Sequence, residues 1–153
     1  MPHYPTNRGK LLIAQGLWDD AASGDVLVGL LKGSLIPASI DTQAEIDDLN
    51  FVSELLAASG VAEADFTNYA RTALSRTNAA EDDTNNRVGL DAADVTINSA
   101  GGASNNTLHG GFIYQTGASD AARPLISVFH FASTITTNGS NLTLTIADLF
   151  RLS

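Results

Sequence analysis

Apolar and polar positions give the chain two textures that meet near residue 77. Before it, apolar residues come in blocks; after it, they come in short runs separated by Asn, Ser, Thr and Gly. Pro2 and Pro5 fix their own φ and push their predecessors toward extended conformations, so residues 1–10 read as an extended N-terminal arm. Lys10-Leu11-Leu12-Ile13-Ala14-Gln15, with Asn7 placed as a cap and Gly16 as a stop, predicts one short helix. A turn-like stretch, 19–24, leads to Val26-Leu27-Val28-Gly29-Leu30-Leu31, which is apolar at both parities and bounded by Gly24-Asp25 and Lys32-Gly33-Ser34. That is the pattern of a buried strand. Ile46, Leu49, Val52, Leu55 and Leu56 recur at three- and four-residue steps between Asp41 and Gly60, predicting an amphipathic helix over 42–58 with Asn50 as its weak point. Alternation over 66–74 favours a strand.

Beyond residue 77 the segment 77–86 is polar and acidic and reads as a loop. Strands are predicted over 87–90, 94–97, 111–115, 125–132, 142–146 and 150–152. Turn clusters at 98–106, 116–120 and 137–141 separate them, and Asn138-Gly139 carries the strongest hairpin signal, since a type I′ turn wants positive φ at both central residues. Turns at this spacing predict a mainly β fold: an antiparallel β-sandwich or small barrel with one or two short helices in the N-terminal half. The expected organisation is an arm, 1–10, and a single β-rich domain, 11–153.

Composition narrows the partners. Eight Lys and Arg against 17 Asp and Glu leave a formal charge of −9 over 153 residues. A surface of that sign repels phosphate backbones, so nucleic acid is an unsuitable partner. Cysteine is absent, which removes disulfides, thiolate nucleophiles and Cys-ligated metals from consideration. The apolar runs are too short to span a membrane and the N-terminal residues contain no apolar signal core, so the expectation is a protein made in the cytoplasm with no membrane partner.

The chain offers few constellations for chemistry. His3, His109 and His130 stand apart in sequence, without HxH or HExxH spacing. In Ser127-Val128-Phe129-His130-Phe131, alternation puts His130 opposite both phenylalanines, on the expected solvent side. Glu81-Asp82-Asp83-Thr84-Asn85-Asn86 is the one run that could supply several hard oxygen ligands, but it lacks the spacing of a calcium loop and reads as a solvated turn. Gly101-Gly102 and Gly110-Gly111 punctuate a loop and lack the Lys and following helix of a phosphate cradle. With no base–nucleophile pairing and no cofactor loop, the sequence predicts no enzyme, no cofactor and no metal. Arg87, Arg123 and Arg151 flank predicted strands in a base-poor chain, where they can pair carboxylates within the subunit or across an interface. Trp18 suits a core or arm-packing position.

Asn7-Arg8-Gly9 before a short apolar segment and Trp18, the strand 26–31, Tyr69-Ala70-Arg71, the run from Glu81 to Arg87 followed by Leu90-Asp91-Ala92-Ala93-Asp94-Val95-Thr96, and Ile113-Tyr114 before Thr116-Gly117 form a pattern. Together with Leu125-Ile126, Thr137-Asn138-Gly139 and Phe150-Arg151-Leu152, that pattern resembles small virion structural proteins of tailed bacteriophages, most of all capsid decoration, or cement, proteins. The resemblance implies a multi-copy component on the capsid exterior that clamps neighbouring major capsid protein subunits, itself a homotrimer or a local three-fold cluster. The interface residues expected on that reading are Pro2, Tyr4, Pro5, Arg8, Trp18, Arg87 and Arg123. The alternative is a carbohydrate- or receptor-binding module of a phage tail or surface, for which Tyr69, Tyr114 and the 81–86 patch are the candidates.

Overall fold

Strand β2 (Val26–Lys32), apolar at both parities, requires cover on both faces, and it lies inside the main sheet with Val26, Val28, Leu30 and Leu31 each at most 3% exposed. The computed structural model describes residues 3–18, 25–77, 80–84, 87–146 and 150–152. Of these, 36% are strand and 18% helix, which makes the fold mainly β. The principal sheet has five antiparallel strands. It contains β1 (His3–Pro5), β2, β3 (Thr72–Ala73), β7 (Thr107–Gln115) and β8 (Leu125–Thr136), in the spatial order β1-β8-β7-β2-β3. Two smaller sheets accompany it. One joins β4 (Ala80–Asp82), β5 (Arg87–Leu90) and β10 (Phe150–Leu152); the other pairs β6 (Val95–Ile97) with β9 (Leu142–Leu144).

The main sheet separates two apolar cores. On one side Val28, Leu30, Ile113 and Phe129 pack with Trp18, Phe66, Leu90, Val95 and Leu144, so the small sheets supply the opposing layer. On the other side Leu31, Phe112, Tyr114 and Val128 pack with Ile40, Ile46, Val52 and Leu55 from short helices. This two-layer β arrangement with a helical cover is the expected sandwich-like architecture.

The helix predicted over 42–58 is interrupted, and the interruption falls at the weak point expected near Asn50. A 3-10 turn at Ala38–Ile40 precedes α2 (Gln43–Ile46) and α3 (Val52–Ala57), and the chain between them is not helical. Glu54 accounts for the break: its Oε2 accepts from the backbone N–H groups of Asn50 (2.5 Å) and Phe51 (3.1 Å), starting a new helix there.

The N-terminal segment also differs from an extended arm. His3–Pro5 is a strand paired with β8, and α1 (Asn7–Ala14) begins at once, capped by Thr6 where Asn7 was expected. Thr6 is fully buried; its Oγ1 accepts from Gly9 N–H (2.8 Å) and donates to the Leu125 carbonyl (2.6 Å). At Gly9 the helix backbone approaches β8 so closely that a Cβ would overlap the Ile126 carbonyl oxygen. Residues 3–10 are therefore part of the folded unit.

Elsewhere the acidic segment read as a loop contributes β4, with Asp82 opposite Arg87. Of the strand expected over 66–74 only Thr72–Ala73 forms, and Asn68 has φ of 69° in the preceding irregular stretch. Gly110 and Gly111 lie within β7 and not in a loop. Asn138-Gly139 joins no hairpin: β9 pairs with β6 and not with β8, and positive φ occurs at Gly139 (92°) but not Asn138.

Candidate functional site

The residues nominated from sequence fall into separate places. Tyr4 and Pro5 lie on β1, an edge strand of the main sheet, where the missing N–H of proline is tolerated. Arg8 follows on α1, half-buried. Trp18 is only 3% exposed and donates Nε1–H to the Thr77 carbonyl (2.9 Å), which makes it a core residue and removes it from any contact surface. Pro2 and the Arg87 side chain lie outside the described residues, as do Asn85, Asn86 and the Arg151 side chain.

Arg123 belongs to an ion cluster centred on Arg71. Arg71 holds Glu63 through Nε and Nη2 (2.7 Å each) and Asp120 through Nη1 and Nη2 (2.5 and 3.0 Å). Arg123 Nη1 adds a bond to Asp120 (2.6 Å), and Tyr69 donates its hydroxyl to Glu63 (2.7 Å) while accepting from Leu30 N–H (3.0 Å). The Arg71 guanidinium lies 5.4 Å from the Phe112 ring centroid and 5.2 Å from that of Tyr114. Two cations thus meet two carboxylates. Bonds from Arg71 and Arg123 hold the Asp120 carboxyl down at about 2 against the opposing effect of burial, and burial together with Glu63 pushes the Tyr69 phenol up. A carboxylate held ionised and paired as Asp120 is acts as a clamp between segments and has no proton to exchange near neutrality. Tyr114 is 2% exposed and Tyr69 packs on Phe66 at 5.3 Å, so neither ring presents a platform for a sugar.

A different cluster combines burial with unpartnered polar atoms. His109 is an extra residue in β7: Leu31 pairs with Gly110 and Lys32 with Leu108, leaving His109 without a partner on β2. On the other flank His130 pairs with Gly110 and Ile135 with Leu108, so residues 131–134 of β8 bulge out against His109 alone. His109 is 1% exposed and His130 2%, against the expectation that His130 faces solvent. Alternation does place His130 on the face opposite Phe129, and that face is buried because the main sheet is covered on both sides. Neither ring nitrogen of His109 has a hydrogen-bond partner, nor has Nε2 of His130. The His130 ring packs on Tyr4 at 5.0 Å and lies beside the Ile40 backbone, which favours its charged form.

The segment after β2 covers these rings. A Cβ at Gly33 would lie 3.6 Å from His109 Cδ2 and 3.8 Å from its Nε2, and φ of 145° favours glycine there. Two residues on, Leu35 is 81% exposed, the more exposed of two large apolar side chains at the surface among the described residues; the other, Leu11 on α1, is 47% exposed. Sequence reading missed this site. The glycine pair after His109 was its one signal, since glycine inside a strand marks a bulge or a close backbone approach.

Among the described residues no three His, Cys, Asp or Glu side chains gather as a metal-binding group, and no helix is long and apolar enough to cross a membrane. Neither protein-family models, nor curated proteins, nor solved structures yield a match to this chain.

Proposed function

We propose that the protein is a virion structural component of a tailed bacteriophage, a decoration protein that binds the major capsid protein shell from outside and holds adjacent subunits together. The observation that carries this reading is the exposed Leu35, on the segment that covers His109 and His130, whose neighbour Tyr4 lies on the edge strand β1. An exposed apolar side chain near the edge of a sheet is the kind of surface that docks against another protein through a pocket; on β1 the Pro5 carbonyl is already taken by Gln43 Nε2 (2.8 Å), so side chains and not the edge backbone make the contact. Tyr4, Pro5 and Leu35 form the docking set on this reading, with Arg8 beside it. The net charge of −9 calls for a partner surface that is neutral or basic. Many copies, as homotrimers or three-fold clusters, then stabilise the shell by mass action, about 2.7 kcal/mol per site at a hundred-fold excess over Kd.

The test is a copy count by mass spectrometry on particles assembled with the intact protein and with Leu35→Asp. Stoichiometric occupancy by the intact protein and loss of occupancy in the variant, with an unchanged melting curve, support the reading. Presence at a handful of copies, or in tails alone, overturns it.

A further inference from the structure

The cluster at His109 has no part in the ion network and no metal set, yet it puts two buried imidazoles with unpartnered nitrogens on neighbouring strands beneath one chain segment. We infer that residues 33–41 form an acid-released latch: when His109 and His130 take up protons, the segment leaves the sheet and uncovers the apolar face now closed by Ile36 and Ile40.

The segment is attached at few points. Gly33 N–H donates to the Thr107 carbonyl (2.7 Å) and Ser39 Oγ to the Ser59 carbonyl (2.8 Å). Ile40 is fully buried and Ile36 partly so, in the core shared with Leu31 and Val128. Two of these anchors adjoin an imidazole. Gly33 lies against the His109 ring, and the Ile40 backbone lies beside His130.

A proton on either ring creates a charge with little around it to balance that charge. From β7, His109 faces His130 with a charge of the same sign. From β1, Tyr4 contributes its ring. From the segment itself, Gly33 lies against His109, and the Ile40 backbone and Asp41, which is exposed to water, favour a charged His130, but burial outweighs both. The outcome is a preference for neutral rings in the closed state: burial lowers both histidines below their ordinary value of 6.5, and the mutual repulsion lowers His130 further. The sign follows. An opened segment exposes the rings to water, where they bind protons at about 6.5, so the closed state keeps its full advantage above that pH and loses it as pH falls below. The 131–134 bulge gives the sheet slack at the same place, because those residues are paired to nothing on β7.

This inference does not rest on the capsid reading, and its test uses the isolated protein. Amide exchange is compared, as protection factors, between pH 7 and pH 5 for residues 34–40 and for the centre of β2. Protection over 34–40 should fall at least about tenfold, the change expected from one linked proton over one pH unit, while β2 holds. In His109→Gln with His130→Gln the fall should vanish, and charge changes elsewhere on the molecule cancel in that comparison. NMR titration of the histidine rings in the unaltered protein provides a readout that needs no variant, and both rings should titrate below 6.5, together with the loss of protection. Equal protection at both pH values, a fall that persists in the variant, or rings that titrate near 6.5 in a segment that stays closed would each overturn the latch.

Discussion

The Thr6 hydroxyl serves two elements at once, capping α1 through Gly9 N–H and holding the Leu125 carbonyl of β8, in a position with no solvent exposure. Thr6→Ala removes a helix cap and leaves a buried carbonyl unpaired, a loss of about 2 kcal/mol. Urea denaturation should show a lower midpoint for this variant, and Thr6→Ser should recover most of it. A second residue-level prediction concerns acid. Asp120 is held near 2 by Arg71 and Arg123, so its contribution to stability is present above the ordinary carboxylate range, near 4, and is lost as pH falls toward 2. Arg71→Lys gives up the planar fork that grips Glu63 and Asp120 together. Melting temperatures recorded between pH 5 and pH 2 should fall less steeply for Arg71→Lys than for the unaltered protein. The Arg123–Asp120 pair, three residues apart, is of the kind expected for Arg123; the others were not legible in the sequence, because residues 6 and 125, or 71 and 120, are far apart along the chain. Tyr69-Ala70-Arg71 drew notice as a motif, but its partners could not be read from spacing.

At the level of elements, the strands were legible wherever burial decides their composition. β2, β7 and β8 are long or doubly apolar; β2 lies at nearly its expected place, while β7 and β8 extend four residues beyond the expected 111–115 and 125–132. Elements fixed by a single polar contact were not. The apolar stripe from Ile46 to Leu56 continues through the break between α2 and α3, because both short helices bury the same face; the interruption depends on the Glu54 carboxylate, which periodicity does not register. Glu54→Gln keeps some capping capacity and Glu54→Ala keeps none. The alanine variant should therefore lose about 1 kcal/mol relative to the glutamine variant, read as the difference in thermal midpoint. The Asn138-Gly139 signal marked a real turn but not the strands that it would join, since turn chemistry fixes local φ and not distant pairing. Residues 3–10 carry the largest consequence. Reading them as an arm predicts that their removal spares the fold. The observed β1–β8 pairing and the buried Thr6 predict that deleting residues 2–8 lowers the melting temperature sharply, or abolishes a cooperative transition in circular dichroism.

For the whole molecule, a charge of −9 with few cations leaves net self-repulsion that the ion pairs do not cancel. Salt shortens the reach of that repulsion to about 8 Å at physiological ionic strength. Melting temperature at pH 7.5 should accordingly rise on going from a few millimolar to physiological sodium chloride, and a fall would show that surface ion pairs such as Lys32–Asp65 outweigh it. Fold class was legible at this scale because turn spacing and the doubly apolar β2 together demand a sheet with two covered faces. The division of the cover, small sheets on one side and helices on the other, was not, since either kind of element can present an apolar stripe to a sheet.

The pairing of His3 with Phe129 also sets the order in which the protein can be made. Ribosomes add about 5–20 residues per second, so β1 and α1 emerge on the order of ten seconds before the strand that receives them exists. β2 waits almost as long for β7, with apolar side chains on both parities and nothing to cover them. The first long strands able to find each other soon after synthesis are β7 and β8, joined through residues 116–124. Assembly therefore begins in the last third of the chain and runs back toward its start, and a nascent chain that stalls before β8 is the form most exposed to aggregation.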